Sequence, residues 1–251
     1  MEIAIAAIAG LLLGHVTDLV FPRFYTDEPV RGPLYSCPKC KVSFRPVFAL
    51  PLIGFALSGG RCPDCRERLP LRSLVLPLGG AALFVASTLV FDDDFGPALF
   101  AGFFATVFLA LTLTDLERRL LPNRIVYPSI LIAITVSWAW PDSSVLDVLG
   151  GGLVAIAIAA ALLIFSLPFG GGAFGMGDVK MIVLIGFVVG LPSVIVGVVI
   201  GTIAAAVASA ILILTGIRGR KDYIPHGPFL ALGAVVALFW GDELWDAYRG
   251  N

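Results

Sequence analysis

Residues 103–128 read FFATVFLALTLTDLERRLLPNRIVYP, and the reading of this stretch decides the fold. It is apolar through Leu113, then carries Asp115, Glu117, Arg118 and Arg119, and then meets Pro122. Proline has no amide hydrogen to continue a helix, so the segment predicts an apolar helix that stops just past a cluster of charges. Charge gathered at one end of such a helix is the pattern of a membrane span reaching an interface.

The rest of the chain repeats that pattern. Of its 251 residues 58% are hydrophobic and 14% charged, and the mean hydropathy is +0.96, which excludes a soluble domain with an ordinary charged surface. Candidate spans fall at residues 3–21, 72–91, 97–114, 124–140, 146–167, 193–216 and 226–241, with a short eighth at 179–190 that ends in Gly190-Leu191-Pro192, a tight reversal. The first span has only Glu2 ahead of it and no basic leading segment, so it is read as a retained helix rather than a signal peptide. The expectation is an all-α polytopic membrane protein of about eight transmembrane helices. It divides into a first helix (1–21), a cytoplasmic loop (22–71) and a seven-helix membrane core (72–251). Threading eight spans from an outside N-terminus puts every one of the 17 Lys and Arg residues except Arg249 on one side, which the positive-inside rule makes cytoplasmic. Asp92, Asp93, Asp94, Asp142, Asp242, Glu243 and Asp246 lie on the other. The net charge of −1 is thus two opposite charges separated by a bilayer, and it gives no footprint for nucleic acid.

All four cysteines lie in the first loop, as CPKC (Cys37, Cys40) and CPDC (Cys62, Cys65). Two Cys-x-x-Cys knuckles at this separation present four thiolates to one ion, the signature of a tetrahedral zinc site. Four thiolates leave no position open for water, so a structural ribbon is favoured over a catalytic zinc, and a reducing compartment disfavours the alternative of disulfides. The intervening FRPVFALPLIGFALSGG (residues 44–60) is apolar but too short to span, and reads as lying on the membrane or packed beneath the ribbon.

Two acids define a candidate site. Asp115 closes one span at the cytoplasmic interface, and GAFGMGDVKM (172–181) brings Asp178 to the start of another at the same interface. Ionisable groups in a membrane segment are costly and mark functional sites. Two aspartates held together would share a proton, giving an acid and a base able to activate water against a peptide carbonyl. Gly175 and Gly177 would free the backbone for positive φ and clear space for a substrate strand. Each residue also has a plainer reading: Asp178 as a helix cap, Asp115 as a partner of Arg118 or Arg119, Glu117 as a solvated interfacial residue, Lys180 as a snorkelling or neutralising cation. His226 beside Gly227 and Pro228 reads as a cap, and His15 as a packing residue.

The paired knuckles, TDLERRLLPN after one span, GMGDVK at the start of another and the late YIPHGPFLALGA together resemble the type IV prepilin peptidases, membrane aspartic proteases of the GxGD class. The resemblance implies an eight-helix enzyme of the bacterial inner membrane, using Asp115 and Asp178 to cut the basic leader from prepilins or pseudopilins at the cytoplasmic face. It also implies, for many members, N-methylation of the new amino terminus from S-adenosylmethionine. Two departures, GHVTD (14–18) in place of Gly-Ser-Phe-Leu-Asn and no glutamate in LRSLVLPLGG (71–80), fall in the part tied to methylation. The competing readings are a transporter or channel with intramembrane acids, and an inert pilus-assembly factor; the first calls for midplane acids and internal repeats, the second for dispensable aspartates.

Overall fold

The computed structural model describes residues 2–21, 37, 39–40, 42, 52–92, 94–137, 144–167, 175–219 and 224–250. Among these the chain is all-helical: α1 (Glu2–Val20), a five-residue α2 (Ile53–Leu57), α3 (Arg72–Val90), α4 (Phe95–Arg118), α5 (Asn123–Val136), α6 (Val145–Ser166), α7 (Met176–Val189), α8 (Ser193–Leu214) and α9 (Gly227–Arg249). Setting α2 aside, the eight long helices correspond to the expected spans. Six of them, α1, α3, α4, α6, α8 and α9, are long and apolar enough to cross a bilayer. The 14-residue α5 and α7 reach about 21 Å at 1.5 Å per residue, short of a hydrocarbon core. The segment 44–51 and the glycine-rich residues 168–174 lie outside the described residues.

Several helices differ from expectation at their ends: α4 runs on to Arg118, past the expected residue 114, and α7 begins at Met176, ahead of the expected residue 179. α5 stops at Val136, short of the expected residue 140, and residues 138–140 lie outside the described residues. α9 continues to Arg249, past the expected residue 241, after a break at Trp240 (φ −140°, ψ 19°). The residues beyond the break, GDELWDAYR, are mostly polar, so hydropathy alone ends the span where the backbone kinks rather than where the helix stops.

The chain divides within α4 into two units, residues 1–106 and 107–251. In the first, α1 lies against α3 through backbone: a Cβ at Gly10 would meet the Gly80 carbonyl oxygen, and one at Gly14 the Leu76 carbonyl oxygen. Small residues permit this approach where no water-driven hydrophobic force acts between helices. The same ends of α1 and α3 bury an ion pair. Arg72 Nε donates to Asp18 Oδ1 at 3.2 Å, with side-chain exposures of 16% and 4%, and the guanidinium sits 4.7 Å over the Phe21 ring. The basic partner that Asp18 needs is therefore supplied within the chain. Removing one half of a buried pair strands the other, so Asp18→Ala is expected to cost about 3–5 kcal/mol of stability. Thermal unfolding in detergent measures it, and Asp18→Ala/Arg72→Leu should recover much of the loss.

In the second unit α7 packs against α5, α6, α8 and α9. Met181, Ile182, Leu184 and Ile185 are fully buried, as an all-round apolar helix requires. Its crossing with α6 is again backbone to backbone, Gly186 against Gly151, and α8 meets α9 where Gly197 and Gly201 face Gly233. α6 and α8 bury only 28% of their apolar windows and turn Leu153, Ile156, Ile203 and Val207 outward, a surface suited to lipid. α7 turns into α8 at Gly190 (φ +68°) and a cis Leu191-Pro192 bond, the reversal the sequence announces.

Candidate active site and four-cysteine cluster

Asp115 and Asp178 reach the second unit from opposite ends of helices. α4 ends at Arg118, where Arg119 turns to φ +55° and Pro122 is extended (φ −71°, ψ 126°). Asp115 therefore stands in the last turn of α4, at the negative pole of its own helix, where a carboxylate is disfavoured. Asp178 stands in the first turn of α7, where helix amides favour one. Its Oδ2 accepts from the Gly175 N–H at 3.3 Å, so the acid takes the N3 place of a capping arrangement, with Gly175 at the N-cap.

The donor that Asp115 lacks locally comes from elsewhere. The Gly227 N–H, at the start of α9, donates to Asp115 Oδ2 at 3.1 Å in a buried bond. The two carboxylates are each 5% exposed and lie within electrostatic range of one another. His226 is within that range of both. Each buried acid thus accepts one helix-terminal amide hydrogen bond, and two like charges within this range oppose double ionisation.

The remaining site residues are placed as follows. Glu117 is exposed, two residues past Asp115, and Lys180 is half-buried two residues past Asp178; residues two apart on a helix do not share a face. Gly175 has φ −84° and Gly177 is helical, so neither uses the left-handed region expected from the sequence. A Cβ at Gly177 would instead lie 3.3 Å from Leu121 Cδ1, so that glycine admits the α4–α5 turn. His226 and Gly227, read from the sequence only as a helix start, stand beside the acids. The signal available was the run His226-Gly227-Pro228, a glycine placed where the next residue has no amide to offer.

In the first unit the four cysteines converge. Their sulfur atoms all lie within 4.8 Å of one another, with Cys37 Sγ 3.5 Å from Cys65 Sγ and Cys40 Sγ 3.8 Å from Cys62 Sγ. A tetrahedral ion with Zn–S bonds of about 2.3 Å separates sulfurs by about 3.8 Å, so the donor set fits zinc, and these separations are far too long for disulfide bonds. The second knuckle is a tight turn in which the Cys62 N–H donates to Glu67 O at 2.8 Å and the Arg66 N–H to Cys62 O at 2.9 Å. In the first, the Cys37 N–H donates to Val42 O at 3.1 Å. Burial raises the Cys37 thiol, but the backbone amides of Cys40 and Lys39 outweigh it and draw it down to about 7. Lys39 joins the knuckles through Glu67 at 2.6 Å, an exposed pair of small energetic weight.

Comparison with known proteins follows the same division. Residues 102–213 match the model of the type IV leader peptidase family, and residues 8–91 that of the bacterial Peptidase A24 N-terminal domain. The prepilin leader peptidase/N-methyltransferase of Bacillus subtilis (strain 168) is 27% identical over 252 residues, spanning 98% of this chain and 97% of that protein. Proteins of the same name from Pseudomonas aeruginosa and Aeromonas hydrophila are 26% and 28% identical, over 86% and 90% of this chain and 74% and 80% of theirs. No solved structure matches. With a buried pair of acids in one unit, a four-cysteine cluster in the other and both family models matched in chain order, this multi-pass membrane protein is similar to the type IV leader peptidase family through residues 102–213 and to the bacterial Peptidase A24 N-terminal domain through residues 8–91.

Proposed function

We propose that the chain is a membrane aspartic endopeptidase that removes the leader from type IV prepilins or pseudopilins at the cytoplasmic face of the bacterial inner membrane, with Asp115 and Asp178 as its catalytic pair. The observation that carries this reading is the pair of buried carboxylates within electrostatic range, each accepting a helix-terminal amide hydrogen bond. One carboxylate takes a proton from water as the water oxygen attacks the scissile carbonyl carbon. The protonated partner gives its proton to the carbonyl oxygen. As the tetrahedral intermediate collapses, one of its hydroxyls returns its proton to the pair while the carbonyl re-forms and the C–N bond breaks, and the leaving nitrogen collects a proton from the pair, which ends sharing one proton again. The two act as a unit, so neither is assigned as the acid. Charge asymmetry along the sequence supports an outside N-terminus and a cytoplasmic cysteine loop.

Cys37, Cys40, Cys62 and Cys65 would hold a zinc ion with no open position, and its chemistry there is to hold the loop folded. N-methylation of the new terminus, named for the relatives, is a second proposed activity, associated with the first loop. The described residues form no strand-to-helix glycine turn of the kind that cradles a nucleotide.

The test is reconstitution in liposomes with a full-length prepilin, followed by intact-mass measurement. The expected product lacks the leader, and labelled S-adenosylmethionine reports methyl transfer separately. Prepilins left intact by folded, zinc-loaded protein would overturn the peptidase reading.

A further inference from the structure

The first turn of α9 disposes of its amides in an unusual way. A helix begins with N–H groups that have no intrahelical partner, and each must go somewhere when buried. Pro228, the second residue of α9, has none to place. The Phe229 and Leu230 N–H groups both donate to the His226 carbonyl oxygen, at 3.1 Å each. That leaves the Gly227 N–H, and it donates to Asp115 Oδ2. The space around it is equally committed: a Cβ at Gly227 would stand 2.5 Å from Asp115 Oδ2, 2.9 Å from its Cγ and 3.1 Å from its Cβ. The backbone at 227 is thus pressed against the whole carboxyl group, and only a residue without a side chain lets α9 approach this closely.

We infer that Gly227 is a positioning residue for Asp115: its amide holds one carboxylate oxygen, and its missing side chain sets how near that oxygen stands to the start of α9. The inference rests on the proposed catalytic pair for its effect on turnover, but the contact itself does not depend on that reading. The charged and titratable groups around Asp115 are Asp178 of α7, His226 at the N-cap of α9 and Arg119 at the end of its own helix. None of these takes the place of the amide, because the Gly227 bond fixes a direction as well as a charge. A displaced carboxylate would lose its alignment with Asp178 across the reacting water, and alignment errors near 1 Å cost about 100-fold in rate.

The experiment combines kinetics with a stability cycle in detergent. Gly227→Ala is expected to lower kcat for leader removal about 100-fold per folded molecule, with KM little changed, since the substrate contacts remain and only the reacting geometry shifts. Gly233→Ala serves as the control on the same helix. Its Cβ would meet the Gly197 carbonyl oxygen of α8 and no carboxylate, so it should lower the unfolding temperature while leaving kcat per folded molecule at the parental value. The cycle uses Asp115→Ala. Gly227→Ala should lower the unfolding temperature strongly in the parent and much less in the Asp115→Ala background, where the obstructing carboxyl is gone; this holds even if Gly227→Ala alone fails to fold. Additive effects of the two substitutions on stability, or parental kcat in Gly227→Ala, would overturn the inference. Loss of cleavage in Asp115→Ala together with parental kcat in Gly227→Ala removes the positioning role and leaves the peptidase reading standing. A strong stability coupling in a protein that cleaves no prepilin removes the peptidase reading and leaves the contact established.

Discussion

Asp115→Asn and Asp178→Asn are each expected to lower leader removal by about 100- to 10,000-fold, the range carried by a positioned acid or base. Asparagine keeps the shape of the side chain and a carbonyl oxygen to accept the Gly227 or Gly175 amide, so the helices should remain in place. What it removes is the ionisable carboxyl, able to give up and take back a proton. Because the two acids act as one proton-sharing unit, the double variant should fall little below either single one. Quantifying cleaved and intact prepilin in membranes carrying equal amounts of each variant makes the comparison, and a parental rate in either single variant would remove the pair as the catalytic centre. That outcome would favour an assembly factor that grips helices without cutting them.

Stripping zinc from the cysteine cluster should have the largest structural effect. In small zinc domains metal binding contributes about 10–16 kcal/mol, which is their folding free energy. Here the described knuckles are short turns joined by an exposed Lys39–Glu67 pair. Cys37→Ser is expected to abolish stoichiometric zinc, measured by metal analysis, and to open residues 61–68 to proteolysis. The hydrogen-bonded turn around Cys62 would have lost its anchor. Zinc uptake should also weaken as pH falls, because protons compete for thiolates that the ion needs. Unchanged zinc content in Cys37→Ser would remove the four-cysteine site.

The sequence by itself determined the helices and the two groups of side chains, four thiols and two carboxyls, that stand out against its apolar runs. Long apolar runs dictate helices in a bilayer, because no other local structure satisfies backbone polar groups there. Two Cys-x-x-Cys knuckles dictate a tetrahedral donor set whatever surrounds them, and the structure brings their sulfurs together. Asp115 and Asp178 stand out as candidates for a related reason: a carboxylate at the edge of an apolar run is costly, and the structure buries both. Spacing along the chain could not reveal what stands opposite those acids, since Gly227 is 112 residues from Asp115 and its bond is a property of how α9 meets the end of α4. The same holds for Asp18 and Arg72, 54 residues apart, and for the glycines that bring α1 to α3 and α6 to α7. Helices form from local hydrogen bonds and can be read locally. Which helix end points at which buried charge is decided by packing, and only the tertiary structure shows it.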